Sequence, residues 1–493
     1  LSAPAFSKIH VPSLYLFTFL LTFVVYLLKI DTLYLETDSP EFIAAAMTLG
    51  IPHAPGYPLY TMIAHLFTQL PFESVSYAVT FFSAISLALS APLLMYGVQY
   101  FVSDAVISAS VTLAVMFSFY IWSVGIVAEV YAPQLLMLSF TAATLIYLTK
   151  QAQPKLWHCM VVGASYGLAI GMAPSSATLA LGVLFVFLQS KQLSWGQRIA
   201  GGVTSLIVFG LCLLYFPFAY QAQPELNVAG SYNRDGVFET VDLTTVEGVW
   251  WLISGEQFED NFFEEGVLVT PDRLLQTGNW FLANFYSVGL VLSLVGLVLM
   301  MGKMRGKFLV WLSLFLPYTY FFMTYGAGDR QTMFGPSYFL LAVPFAVGIQ
   351  WILSGLPRSA YGLAVILLPV VFLTLTAGYI DSNDAFIIKE QSEQYLAEIP
   401  DDAVVFGDWV ETMPLRYHQI VNETRLDIDV YTLFFFDYEQ ERVQSFLDHL
   451  LAQDKTVVFL GRSEEDLLDT TQYWFLNRPT PDDIQIVEVK SLD

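Results

Sequence analysis

Thr37-Asp38-Ser39-Pro40-Glu41-Phe42, followed by Ile51-Pro52-His53-Ala54-Pro55-Gly56-Tyr57-Pro58, occupies the loop after the first apolar segment of the chain. The stretch sets two carboxylates, a histidine and a proline-stiffened turn at the end of a run long enough to meet a bilayer. Most loops between membrane helices are short connectors. This one, at 31–75, is dense in groups able to do chemistry, which points to an active site facing one side of a membrane.

The rest of the chain supports a membrane setting. Of its 493 residues, 55% are hydrophobic and 16% aromatic, and the mean hydropathy is +0.56. Only 13% are charged, where a soluble chain carries roughly 25%. Apolar runs of the ~20 residues needed to cross a bilayer recur over most of the length. Eleven spans are expected, near 11–30, 76–101, 104–122, 131–149, 157–172, 175–190, 198–219, 281–301, 307–325, 332–353 and 360–379. The first run exceeds a signal-peptide core and is expected to remain as a helix. The fold class is therefore a polytopic α-helical membrane protein.

Lysine and arginine placement orients it. With the N-terminus cytoplasmic, nine basic residues (Lys8, Lys150, Lys155, Lys191, Arg198, Lys303, Arg305, Lys307, Arg358) fall in cytoplasmic loops and four (Lys29, Arg234, Arg273, Arg330) in outer ones. The loops 31–75 and 220–280 and the stretch 380–493 then share the extracytoplasmic side, bacterial periplasm or ER lumen. The domain division expected is 1–379 for the membrane part and 380–493 for a small acidic α/β domain. That last stretch holds 25 acidic and 8 basic residues, −17 of the net −23. Such a surface repels phosphate backbones, so nucleic acid is not a partner. Apolar runs at 403–406, 428–431, 456–460 and 484–487 alternate with charged helical patterns, predicting a mostly parallel sheet. No GxGxxG or P-loop motif opens its first helix. Cys159 and Cys212 lie in apolar segments, and neither a disulfide framework nor a thiol metal site is indicated.

In the first loop, Asp38 to Gly50 reads as a short helix closed by a glycine C-cap, and residues 58–70 as a second, interfacial one. Asp38 and Glu41 project to one side of the helix start. There a carboxylate can take the proton of an attacking hydroxyl or hold a divalent cation. The same Asp-x-x-Glu spacing is also a capping box. His53, among its prolines, is either held against a substrate or a surface-loop residue. Glu129 and Tyr131 sit at the membrane boundary before the fourth span, where an ionisable group is either exposed or faces a cavity. Arg330, after Gly326-Ala327-Gly328-Asp329, suits a lipid phosphate through its planar fork, unless it pairs with Asp329. Arg234 is a weaker candidate of that kind. Trp250 and Trp251 suit either sugar stacking or interface anchoring.

The residues Asp38-Ser39-Pro40-Glu41-Phe42-Ile43-Ala44-Ala45-Ala46 and Leu49-Gly50-Ile51-Pro52-His53-Ala54-Pro55-Gly56-Tyr57-Pro58-Leu59-Tyr60 carry a resemblance to a family. Weaker matches are Ala128-Glu129-Val130-Tyr131, Glu247-Gly248-Val249-Trp250-Trp251, Gly255-Glu256-Gln257-Phe258 and Gly328-Asp329-Arg330. Together they resemble the GT-C glycosyltransferases, and more narrowly the protein O-mannosyltransferase-like multispanning proteins. Pro40 stands where that family often has glycine. The turn Gly171-Met172-Ala173-Pro174-Ser175 replaces an expected polar, histidine-containing one.

The resemblance implies a GT-C-like membrane fold and an inverting glycosyltransferase. It would move a sugar such as mannose from a polyprenyl-phosphate donor to a hydroxyl on a protein or glycan acceptor, on the extracytoplasmic side. Asp38 would be the base with Glu41 supporting it; His53, Tyr57, Glu129, Tyr131, Arg234 and Arg330 would line the substrate site. No metal is assigned, though the carboxylates could take a divalent cation. Partners would be membrane lipids, the lipid-linked donor and the acceptor, with room for a membrane complex. The alternative is a non-catalytic scaffold subunit that keeps the fold within a larger assembly.

Overall fold

The computed structural model describes residues 10–30, 38–328, 330–378, 380, 383–437, 439–461, 468, 473–477 and 485–491. Asp329, the expected alternative partner of Arg330, lies outside them, as do residues 31–37 of the first loop and Ile484 of the last expected strand.

Helices occupy all eleven expected places. Seven are long and apolar enough to cross a membrane; Val11–Leu27, Ala105–Met116, Leu156–Met172 and Pro174–Gln189 are shorter apolar helices. Their starts follow local chemistry. The Asp104 carboxylate accepts from Val106 and Ile107 backbone N–H groups at 2.9 and 3.2 Å, satisfying free donors of the first turn. Its second oxygen accepts from the Tyr361 hydroxyl at 2.7 Å, tying that helix start to Arg358–Ala377.

Where lipid supplies no hydrophobic drive between helices, close backbone approach does the joining. A Cβ on Gly296 would lie 1.8 Å from the Pro344 carbonyl oxygen, and one on Gly348 would lie 2.0 Å from that of Leu292. Helices Pro271–Lys303 and Gly335–Leu353 therefore meet backbone to backbone.

The first loop forms two short helices, Ser39–Thr48 and Pro58–Thr68. The left-handed residue that closes the first is Leu49, at φ 51°, not the expected glycine. Gly50 is needed for a different reason: a Cβ there would meet the Leu226 carbonyl oxygen at 2.6 Å. That approach allows Ile51 to exchange backbone hydrogen bonds with Leu226 and Val228 at 2.9 and 3.0 Å, locking the first loop to the 220–280 loop. The 220–280 loop also carries a hairpin of β1 (Gly230–Tyr232) and β2 (Phe238–Thr240).

The C-terminal sheet contains β3 (Val404–Gly407), β4 (Asp429–Thr432), β5 (Val457–Leu460), β6 (Tyr473–Asn477) and β7 (Ile486–Ser491). Its order is β4-β3-β5-β7-β6. The pairs β3–β4 and β3–β5 are parallel, while β5–β7 and β7–β6 are antiparallel. The sheet is therefore mixed rather than mostly parallel, since Tyr473–Asn477 adds a strand that its flanking polar residues disguised. Val404, Phe406, Val457 and Phe459 share one buried core with Ala44, Ala45, Leu226, Val228 and Tyr232. Helix Trp409–Asn422, which follows β3, packs on Ser39–Thr48. The 220–280 loop and the C-terminal region thus both pack on the first loop.

Candidate active site

The motif of the first loop folds back on itself. Glu41, on the buried side of Ser39–Thr48, accepts from the His53 backbone N–H at 2.6 Å and faces His53 Nδ1 at 2.5 Å. With Glu41 as an ionised acceptor, Nδ1 is the donor of this pair. The His53 ring is held by edge or tilted contacts with Phe42, Tyr57, Phe258 and Trp409, at centroid distances of 5.5, 5.5, 5.7 and 5.6 Å. The adjacent Ala54 N–H donates to Gln257 Oε1 at 2.9 Å, and Gln257 Nε2 donates to the Val228 carbonyl at 3.0 Å. The loop is therefore clamped from inside by Glu41 and from the 220–280 loop by Gln257.

Asp38 stands at the start of the same helix, but its side chain makes no cap hydrogen bond. The capping-box alternative is not what the structure contains, since Glu41 is turned to His53. Asp38 keeps part of its surface open to a cavity of about 730 Å³. Burial by the surrounding protein pushes its pKa up; the nearby His53 opposes that shift and Glu41 adds to it.

His53, Tyr57 and Tyr131 line the cavity with Asp38. Much of the remaining wall is aromatic, from Phe258, Phe262, Phe321, Phe322, Tyr325 and Phe434. Burial, with the charge of Asp38 next, drives the Tyr57 phenol well above its usual value, so it stays neutral. Glu129 is buried behind this wall, within electrostatic reach of Tyr57. Its neighbours Val130 and Tyr131 face the cavity.

Arg330 is also buried. Its guanidinium donates to the Tyr325 carbonyl and, at 2.9 Å, to Gln276 Oε1, and lies 5.4 Å from the Trp280 ring centroid. Its Nε has no hydrogen-bond partner among the described residues. The residues on either side of it in the fold, Tyr325, Gly328 and Gln331, line the cavity, whereas Arg330 itself sits behind them.

Arg234 is placed elsewhere. It sits in the β1–β2 turn, exposed, with Nη2 3.1 Å from Glu441 Oε1. Asn233 Oδ1 accepts from Asp235 and Val237 N–H groups, and this tight turn points Arg234 away from the cavity. Trp250 is exposed and outside the cavity too, although Gly255 and Phe258 from the same stretch line it.

Asp38, Glu41 and His53 offer ligand atoms all within 4.8 Å of one another, a donor set suited to a divalent cation. Both Glu41 oxygens are already engaged by His53, so a cation would have to displace that bond.

Sequence reading did not find Trp409, Val410 and Phe434, which reach the cavity from the C-terminal region, nor the Gln257 clamp. No local pattern marks them. The signal available was only that an acidic stretch carries Trp409 directly after an apolar strand.

Residues 38–195 match the family described as Protein O-mannosyl-transferase TMEM260 N-terminal domain. Protein O-mannosyl-transferase TMEM260 of Mus musculus is 41% identical over 98 residues, 19% of this chain and 14% of that protein. The Dictyostelium discoideum protein of the same description is 21% identical over 463 residues, 82% of this chain and 55% of that protein. The matched stretch thus spans about half the length of the Dictyostelium relative and less of the mouse one. Among solved structures, ArnT from Cupriavidus metallidurans bound to undecaprenyl phosphate aligns with a TM-score of 0.56 at 12% identity, covering 96% of this chain and 97% of that one. Its apo state aligns with a TM-score of 0.55. Residues 38–195 are thus similar in sequence to the TMEM260 N-terminal domain, and the fold is similar to that of ArnT over nearly the whole chain.

Proposed function

We propose that the chain is an inverting glycosyltransferase that moves a sugar, mannose by analogy with its named relatives, from a polyprenyl-phosphate donor to a hydroxyl on a protein or glycan. The observation that carries this reading is the Asp38 carboxylate at the wall of a 730 Å³ cavity, with the Glu41–His53 pair locked behind it. The acceptor oxygen attacks the anomeric carbon as Asp38 takes its proton. The bond from that carbon to the phosphate oxygen breaks, and polyprenyl phosphate leaves with the electron pair. Attack and departure on opposite faces invert the anomeric centre.

The supporting roles follow from position. Glu41 fixes His53, whose ring hydrogen-bonds to the substrate. Tyr57 and Tyr131 present aromatic faces to the sugar, and Glu129 adds negative potential near the developing cationic carbon. Arg330, with its Nε unpartnered among the described residues, is the cation behind Gln331 that offsets the phosphate charge. Residues 1–379 form the membrane domain and 380–493 an extracytoplasmic domain that helps select the acceptor. The N-terminus is cytoplasmic, as the lysine and arginine count supports.

The test is a purified-protein assay with polyprenyl-phosphate mannose and a hydroxyl-bearing peptide. Asp38→Asn should lose turnover by about 10³-fold or more while the protein remains folded. Wild-type rates from that variant would refute the assigned base.

A further inference from the structure

A second cavity lies within the helix bundle, apart from the first-loop site. Its volume is about 180 Å³ and its wall is almost wholly apolar. Leu138, Ala142, Ile146 and Thr149 line it at helical spacing along one face of Tyr131–Thr149, together with Val310 and Leu314 of helix Arg305–Thr324. Among the described residues it shares no lining residue with the first-loop cavity. A polar layer runs between the two. Gln134 Nε2 donates to Ser175 Oγ and Ser176 Oγ at 3.0 and 3.1 Å, and the Tyr166 hydroxyl donates to the Ser176 carbonyl at 3.0 Å.

Two lysines stand at the far end of this space. Tyr100 and Thr149 line the cavity there, and Lys150 follows Thr149. Lys150 Nζ lies 4.5 Å from the Tyr96 ring centroid and 6.0 Å from that of Tyr100. Lys307 Nζ lies 4.3 Å from the same Tyr100 ring and 5.4 Å from that of Phe101. Lys150 also donates to the Tyr96 hydroxyl at 3.3 Å, and Lys307 to the Tyr100 carbonyl. Neither ammonium has a carboxylate partner among the described residues. Asp104 is the one acidic residue in 93–104, 141–150 and 303–314, and its oxygens accept from a helix start and from Tyr361. Like charges that converge on one ring repel. An anion between them removes that cost.

Thr149 is about 27 Å along its helix from Tyr131, at 1.5 Å per residue, close to the ~30 Å of a hydrocarbon core. Tyr131 lines the first-loop cavity, so the lysines stand at the opposite boundary of the bilayer, where lipid phosphates lie. An apolar cavity of about 150 Å³ stays dry and takes benzene, so this one has room for a stretch of hydrocarbon chain. We propose that it binds one anionic phospholipid of that opposite leaflet, with part of an acyl chain along Tyr131–Thr149 and the phosphate between Lys150 and Lys307. Chain and headgroup act together. One basic residue beside an anionic lipid is worth about fivefold in affinity, and two buried methylenes are worth about tenfold.

The experiment titrates delipidated, detergent-purified full chain with dioleoyl phosphatidylglycerol and reads bound lipid by native mass spectrometry. One lipid should bind, with dioleoyl phosphatidylcholine at least fivefold weaker and glycerol 3-phosphate, which has the charge without the chain, not retained. Lys150→Gln and Lys307→Gln should each weaken phosphatidylglycerol binding by about fivefold and leave phosphatidylcholine binding unchanged. Lys191→Gln, an exposed lysine away from the cavity, should change neither. Ala142→Phe fills the groove and should weaken binding about tenfold or more. Both lysine variants change side chains outside the packed core, so they decide the question even where Ala142→Phe does not fold. Unchanged phosphatidylglycerol binding in both lysine variants, or equal binding of the two phospholipids, overturns the proposal. Undecaprenyl phosphate that displaces the phospholipid from wild type but not from Ala142→Phe would give the groove to a polyprenyl tail and overturn it as well.

Discussion

Glu41 Oε2 and His53 Nδ1 lie 2.5 Å apart, joining two residues twelve positions apart in the chain. Glu41 also accepts the His53 backbone N–H, so one buried carboxylate sets both the path of the proline turn and the face of the imidazole. Asp38, three residues earlier, is left facing the cavity. The two carboxylates of the motif are thereby placed differently, one bound to the loop and one open to the cavity.

Removing the loop-bound one should be costly. Glu41→Ala leaves the His53 N–H and Nδ1 without acceptors in a buried site, and loss of one partner of a buried pair costs about 3–5 kcal/mol. Thermal unfolding in detergent should show a large fall in midpoint. A variant as stable as wild type would mean the loop is held by Gln257 and packing alone.

Asp38→Asn should do the reverse. Burial raises the Asp38 pKa above its ordinary 3.8, so the folded chain holds this proton to higher pH than the unfolded chain does. Asp38 therefore favours folding below about 3.8 and loses that contribution as pH rises through its folded-state value. At neutral pH the charged form is a burden, and the neutral amide should raise the midpoint while turnover is lost. Wild-type stability should also decline slightly over that acidic window for this group, read by denaturation at stepped pH.

Gly56 sits at φ +82°, and a Cβ there would meet the Phe216 ring at 2.7 Å and Leu252 at 2.8 Å. Gly56→Ala combines backbone strain with overpacking, and should cost about 2 kcal/mol or more. Because the strain falls between His53 and Tyr57, donor KM should rise as well. Gly97→Ala, which meets open space, is the matched control and should be close to neutral.

Arg234→Ala should change little. Its pair with Glu441 is exposed on both sides, and such pairs are worth about 0–1 kcal/mol. Turnover should stay within about twofold of wild type and stability within about 0.5 kcal/mol. A large loss of activity would return this residue to the substrate site.

Membrane helices and the first-loop motif were legible because their signals are local. Apolar length decides whether a segment suits a bilayer, so the eleven places could be read one at a time. Asp38 and Glu41 could be set on one side of the helix start from their spacing, whereas the Glu41–His53 bond appears only in the folded chain. Tyr131 reaches the same cavity because Glu129-Val130-Tyr131 begins a helix at its rim. Arg234 shows the limit of that approach: residue type suggested phosphate binding, but a tight hairpin turn aimed it at Glu441.

The sequence by itself determined a multispanning membrane chain with an acidic C-terminal stretch and a first loop dense in carboxylate, histidine and proline, because hydropathy and short-range spacing are properties of contiguous residues. Only the tertiary structure decided that Gln257, 203 residues from Ala54, clamps that loop, and that Trp409 and Phe434 close the cavity over it. Those placements depend on a core shared between Ala44, Ala45 and the C-terminal sheet, and packing between distant segments leaves no periodic trace in either one.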